Sequence, residues 1–114
     1  VFLGIIGNLD ASDSSYDDST CYGWAGYSEV YQGGTERIGD SGWTGFTQEK
    51  CLHFHLKAKK LTMFSVQKNQ KFTMDVATTV DTYYIHFNMF HKGTKVTLEP
   101  LNEEECARFL SNRI

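Results

Sequence analysis

Residues 51–76 read CLHFHLKAKKLTMFSVQKNQKFTMDV. Leu52, Phe54 and Leu56 alternate with His53 and His55. Period two with one apolar row is the pattern of a half-buried strand. Lys57–Lys60 supplies a turn, and Leu61–Val66 forms the next strand. The polar QKNQ at 67–70 makes a hairpin loop, after which Phe72, Met74 and Val76 share one face of a third strand. Three strands joined by short turns predict an antiparallel sheet.

Working outward, the same texture continues in both directions. Val1–Ile6, VFLGII, reads as a strand. Asn8–Asp18, NLDASDSSYDD, has the Asn, Asp and Ser that loops favour. Gly26–Tyr31 reads as a strand ended by Gly33-Gly34, and GTERIGDSG as loop up to Trp43. Downstream, Thr82–Phe90 forms a long strand with Tyr83, Ile85, Phe87 and Met89 on one face. Lys95–Glu99 returns with Val96 and Leu98 inward. The whole predicts an all-β antiparallel β-sandwich, with Leu52, Phe54, Leu56, Met74, Ile85 and Phe87 in its core. The tail differs. Asn102 suits an N-cap and Glu105 the capping-box position, while Cys106, Phe109 and Leu110 make a helical stripe. The expected division is a sandwich over 1–100 and a short C-terminal helical tail over 101–114.

The chain has 114 residues, of which 40% are hydrophobic and 22% charged, so one domain with a real core is expected. The net charge of −3 is unevenly spread, with eight acidic and two basic residues in 1–50 against three and seven in 51–99. Mild acidity argues against a nucleic-acid partner, and the charge polarity suits steering of a charged one. No apolar run reaches the ~18 residues of a membrane span. VFLGII lacks the basic leader and cleavage site of a signal peptide. Three cysteines, Cys21, Cys51 and Cys106, are too sparse for a disulfide framework, which favours a reduced, cytoplasmic setting.

Catalytic and metal chemistry find little footing. His53 and His55 could start a zinc site, with His86 and His91 as further ligands, but no Cys-x-x-Cys joins them and surface histidines are the simpler account. Asp10, Asp13, Asp17 and Asp18 could offer oxygens to calcium, yet the EF-hand order is absent. Cys21 has acidic neighbours, which raise a thiol's pKa rather than activate it. GTERIG lacks the Lys-Ser/Thr of a phosphate loop. Lys57, Lys59, Lys60, Lys68 and Lys71 sit at hairpin ends without interleaved aromatics, a weak nucleic-acid signal. The expectation is no enzyme, no cofactor and no metal.

Four stretches together resemble the SPRY domain, the module at the end of many tripartite-motif ubiquitin ligases. They are VFLGIIGN, the YGW at Tyr22–Trp24, the run from Leu52 to Val76, and YYIHFNMFHKGTKVTLEP. The resemblance spans Val1 to Pro100. It implies a concanavalin-like sandwich whose loops grip a protein or peptide, without chemistry of its own. The family's early strands, with their Trp-Glu-Val signature, would precede Val1 and are not in this sequence. That departure leads to the expectation that another copy or a separate upstream segment completes the sheet. On this reading the aromatic and glycine-rich stretch YGWAGYSEVYQGG and the loops around it form the contact face. The binding candidates are Tyr16, Trp24, Tyr27, Tyr31, Arg37 and Trp43. A carbohydrate-binding sandwich is the alternative, since aromatic faces stack on sugars. A structural assembly domain is a further one.

Overall fold

The computed structural model describes residues 2–8, 10, 15–26, 28–38, 42–46, 51–77, 82–88, 97–100 and 104. Within them lie strands β1 (Phe2–Ile6), β2 (Tyr22–Ala25), β3 (Glu29–Gln32) and β4 (Thr35–Ile38). Strands β5 (Leu52–Lys57), β6 (Lys60–Ser65), β7 (Gln70–Asp75) and β8 (Tyr84–Asn88) follow. They form a five-stranded sheet in the order β4-β3-β2-β1-β8 and a three-stranded sheet in the order β5-β6-β7. Every pairing is antiparallel. The two sheets pack face to face. Ile5, Tyr22, Trp24 and Val30 from one meet Leu61, Met63, Phe72, Met74 and Val76 from the other. The all-β sandwich expected from the alternation is present.

The 51–76 region follows its pattern closely. Phe72, Met74 and Val76 are all buried, as the shared face requires. The β5–β6 turn is tighter than expected. Ala58 and Lys59 alone make it, at φ 53° and 61°, and Lys57 and Lys60 pair as strand ends. Two consecutive left-handed residues match the twist of the flanking strands. The second turn occupies 66–69, with Asn69 at φ 52°, and Gln70 already belongs to β7.

Strand β1 sits between β2 and β8 and is buried along its whole length. Leu3 and Ile5 face the other sheet, while Phe2 and Ile6 face outward under a loop, so both faces need apolar side chains.

Four expectations are corrected. Tyr22–Ala25 is a strand, the next strand starts only at Glu29, and the Glu29 N–H donates to the Gly26 carbonyl at 3.2 Å. The expected loop GTERI is instead the second half of a hairpin. Gly33 and Gly34, at φ 61° and 79°, turn the chain, and Thr35–Ile38 returns as β4. β4 escaped notice because it is an edge strand whose Thr35, Glu36 and Arg37 are exposed, so no apolar alternation marks it. Ile85 is 59% exposed and Leu56 40% exposed rather than core, because β8 and β5 are edge strands of their sheets among the described residues. Leu98 is 60% exposed and residues 97–100 form no strand. Val96, Met89 and the capping and stripe residues of the tail lie outside the described residues.

Candidate functional site

The outer face of the five-stranded sheet is not bare. Phe2, Ile6, Cys21, Ala25 and Tyr31 form a second apolar cluster there, and Tyr16 packs on it. The segment that covers it enters as a short 3-10 turn, Ser15–Asp17. Hydrogen bonds hold it down. Asp18 accepts from the Thr20 N–H at 2.8 Å, from Thr20 Oγ1 at 2.6 Å and from Asn8 Nδ2 at 2.8 Å. Thr20 Oγ1 in turn accepts the N–H groups of Gly7 and Asn8, each at 3.0 Å. The Thr20 hydroxyl, then Asn8, then the Thr20 N–H hold the Asp18 carboxyl below its usual range.

Two glycines let the backbone come this close. A Cβ on Gly34 would lie 2.4 Å from the Asp17 carbonyl oxygen, at a φ that L side chains rarely adopt. A Cβ on Gly23 would meet the Leu3 carbonyl at 2.4 Å and the Phe2 ring at 2.7 Å. The aromatic row of the outer face needs the space left at Gly23.

That row is continuous. The Tyr16 ring lies 5.0 Å from Tyr31, Tyr31 meets Phe2 edge-on at 6.0 Å, and Phe2 lies 5.8 Å from His86. Tyr31 Oη donates to Glu29 Oε2 at 2.5 Å. Burial first, then the Glu29 carboxylate, drives the Tyr31 phenol far above its ordinary range. His86 Nε2 sits 2.6 Å from Ser15 Oγ, and burial lowers the imidazole's pKa. Ser15 is itself buried, so this contact ties the covering segment to β8.

Of the six residues expected to bind, the five that are described do not form one surface. Tyr16 is half-buried on the outer face and Tyr31 is buried beneath it. Trp24 and Trp43 are 1% and 0% exposed and belong to the core between the sheets. Trp43 Nε1 donates to the Ala25 carbonyl at 2.7 Å, and its ring meets Phe46 at 4.7 Å and Phe72 at 5.0 Å. Both indoles are packing residues, because closing the sandwich takes their whole surface. Arg37 is exposed, but its register partner is Val30, which points into the core. Arg37 therefore lies on the opposite side of the sheet from Tyr16. Glu36, opposite Tyr31, takes the place beside Tyr16 instead. Tyr27 lies outside the described residues.

Glu29, Glu36, Ser15 and His86 went unremarked as members of this face. The alternation of Tyr31 with Val30, and of His86 with Ile85 and Phe87, was the available signal, but it acquires meaning only once the inner face is known.

The three described histidines do not converge, and His91 lies outside the described residues. His53 and His55 alternate with core-facing Phe54 on the three-stranded sheet, while His86 faces outward from the other sheet. Among the described residues no three His, Cys, Asp or Glu side chains are placed to hold a metal ion. Cys21 is fully buried, and burial, then Asp18 and Asp17, push its thiol up to about 12, which leaves it a packing residue. Lys68 is engaged at the far hairpin, its Nζ donating to the Gly45 carbonyl at 2.8 Å and lying 4.8 Å from the centre of the Trp43 ring. No helix among the described residues is long and apolar enough to cross a membrane.

Comparison with protein-family models finds no match, and comparisons with curated proteins and with solved structures find none either.

Proposed function

We propose that this chain is an intracellular protein- or peptide-binding module, SPRY-like in character, that recognises its partner through the outer face of the five-stranded sheet. Attached to a ubiquitin ligase, such a module selects the substrate and leaves the chemistry to other domains. The observation that carries the reading is the half-buried Tyr16 ring tilted against buried Tyr31 at 5.0 Å, with Glu29 and Glu36 beside Tyr31. A rigid sheet supports an aromatic anchor with acidic neighbours, the arrangement that recognition surfaces favour. The surface suits a partner with a basic or amphipathic side chain that can lie over the ring. The carbohydrate reading is weaker, because both tryptophans, the broadest faces for a sugar ring, are buried.

The test is parallel affinity capture with the parent chain and with Tyr16→Ala and Glu36→Lys variants, followed by calorimetric titration of whatever the parent alone retains. Weakening by about 2 kcal/mol or more in Tyr16→Ala, with folding intact, supports the assignment. Equal affinity in both variants removes the site from this face, and selective retention on a glycan array would favour the carbohydrate reading instead.

A further inference from the structure

The outer face of the five-stranded sheet carries carboxylates that no described cation balances. Strand register lines up His86, Gly4, Gly23, Tyr31 and Glu36 across it. The Phe2 ring lies over Gly23, and Tyr16 closes the row on Tyr31. Glu36 ends the row and is exposed, as is Asp17 next to Tyr16. Glu36 and Tyr16 both act on the Tyr31 phenol, which places them around the same spot. Glu29 is held there by the Tyr31 hydroxyl. Among the described residues no lysine or arginine pairs with Asp17, Glu29 or Glu36. Arg37, the nearest cation in the sequence, is sent to the opposite side of the sheet by its place beside core-facing Val30. The Tyr16 hydroxyl is open to solvent and bonds to no described group.

We propose that this face takes an arginine side chain from a partner polypeptide, its guanidinium laid on the open side of the Tyr16 ring and its N–H fork turned to the Glu36 carboxylate. The inference rests on the reading of the Tyr16 face as the contact surface and names the group that it receives. Charge complementarity selects the occupant. Carboxylates that no cation of their own chain neutralises attract a cation and disfavour an acidic or phosphorylated segment. A neutral apolar segment would cover Glu36 without compensating its charge, which costs desolvation. The aromatic ring decides between the two cationic side chains. A guanidinium is planar and weakly hydrated, and it stacks on a ring while its in-plane N–H groups reach a carboxylate. A lysine ammonium is compact and strongly hydrated, so it gains less from the ring. The platform is also set in advance. Tyr31 is buried beneath Tyr16 and its hydroxyl is occupied by Glu29, so little has to be ordered when the partner arrives.

The test titrates the isotope-labelled chain with short glycine–serine peptides that differ only at a central arginine, lysine or citrulline, followed by amide chemical shifts. Saturable shifts are expected at Tyr16, Tyr31 and Glu36 with the arginine peptide. Affinity should be about threefold weaker for lysine, and the neutral citrulline should not bind. Glu36→Gln should weaken arginine binding about threefold and Tyr16→Ala at least as much. Tyr16→Phe, which keeps the ring, should bind like the parent. Asp75→Asn, which removes the same charge from the other sheet, should also bind like the parent. Should Tyr16→Ala fail to fold, Glu36→Gln against Asp75→Asn decides. Lysine bound as tightly as arginine, equal weakening by Glu36→Gln and Asp75→Asn, or no saturable shift on this face would overturn the assignment. Each of these leaves the contact-face reading standing. That reading falls only when a captured partner is held equally by the parent and by its Tyr16→Ala and Glu36→Lys variants.

Discussion

Trp43 shows what a single buried polar atom demands. Its indole fills the end of the core and its N–H satisfies the Ala25 carbonyl at 2.7 Å. Trp43→Phe keeps most of the ring but leaves that carbonyl without its partner, a loss of about 1–3 kcal/mol, whereas Trp43→Ala should cost about 3–5 kcal/mol. Urea unfolding of the two variants separates the hydrogen bond from the packing. His86 is a second residue whose surroundings set its behaviour. Ser15 Oγ and the Phe2 ring stand beside it, and neither compensates a positive charge. Its folded-state pKa is lowered from 6.5, so the folded protein prefers the neutral ring. The stability this carries is complete above about pH 6.5, where both states are neutral, and is lost as pH falls through the depressed folded value. Thermal melts between pH 7.5 and 5 should show the decline, and His86→Gln should flatten that part of the profile. A profile identical to the parent's would remove His86 as its source.

At the scale of elements, the two tight hairpins form a natural comparison. Gly33 and Gly34 occupy left-handed positions that cost glycine nothing, whereas Ala58 and Lys59 adopt the same region with side chains. The β5–β6 turn is therefore under-optimised. Replacing Ala58 by Asn together with Lys59 by Gly, the favoured pair for this turn, should stabilise the chain by about 1 kcal/mol. The converse change at Gly34 should destabilise it by more than about 1 kcal/mol, since a Cβ also collides with the Asp17 carbonyl under which the covering loop is seated. Denaturant midpoints measured at constant slope test both, and a neutral Gly34→Ala would contradict the close approach.

At the scale of the whole molecule, the unequal sheets grade the core. Phe72 on β7 is 3% exposed, while Phe54 on β5 is only partly buried. Phe72→Ala should cost about 3–5 kcal/mol, and Phe54→Ala clearly less, because part of the Phe54 ring already meets water. Equal losses would mean that the β5 side is as closed as the β7 side. The same asymmetry separates charge. Glu29 and Glu36 mark the outer surface of the five-stranded sheet, and Lys57, Lys60 and Lys71 belong to the three-stranded one. With β8 excepted, the acidic first half of the sequence supplies the five-stranded layer and the basic second half the three-stranded one.

The sequence by itself determined the strands in which one face is buried and the other wet. LHFHL and KFTMDV announce their faces because water and core alternate along them, and the all-β class follows. It could not reveal β4, whose exposed Thr35, Glu36 and Arg37 carry no periodic signal, nor the depth of Ile85, which depends on the place of β8 in its sheet. The candidate face was legible only in part. Tyr16 stood out as an aromatic in a polar loop, but the residues that share its face, Tyr31, Glu36 and His86, come from strands brought together by pairing register. Register also sends Arg37 to the other side of the sheet. Neighbouring residues on a strand point in opposite directions, so membership of a surface is a property of the assembled sheet, and only tertiary structure decides it.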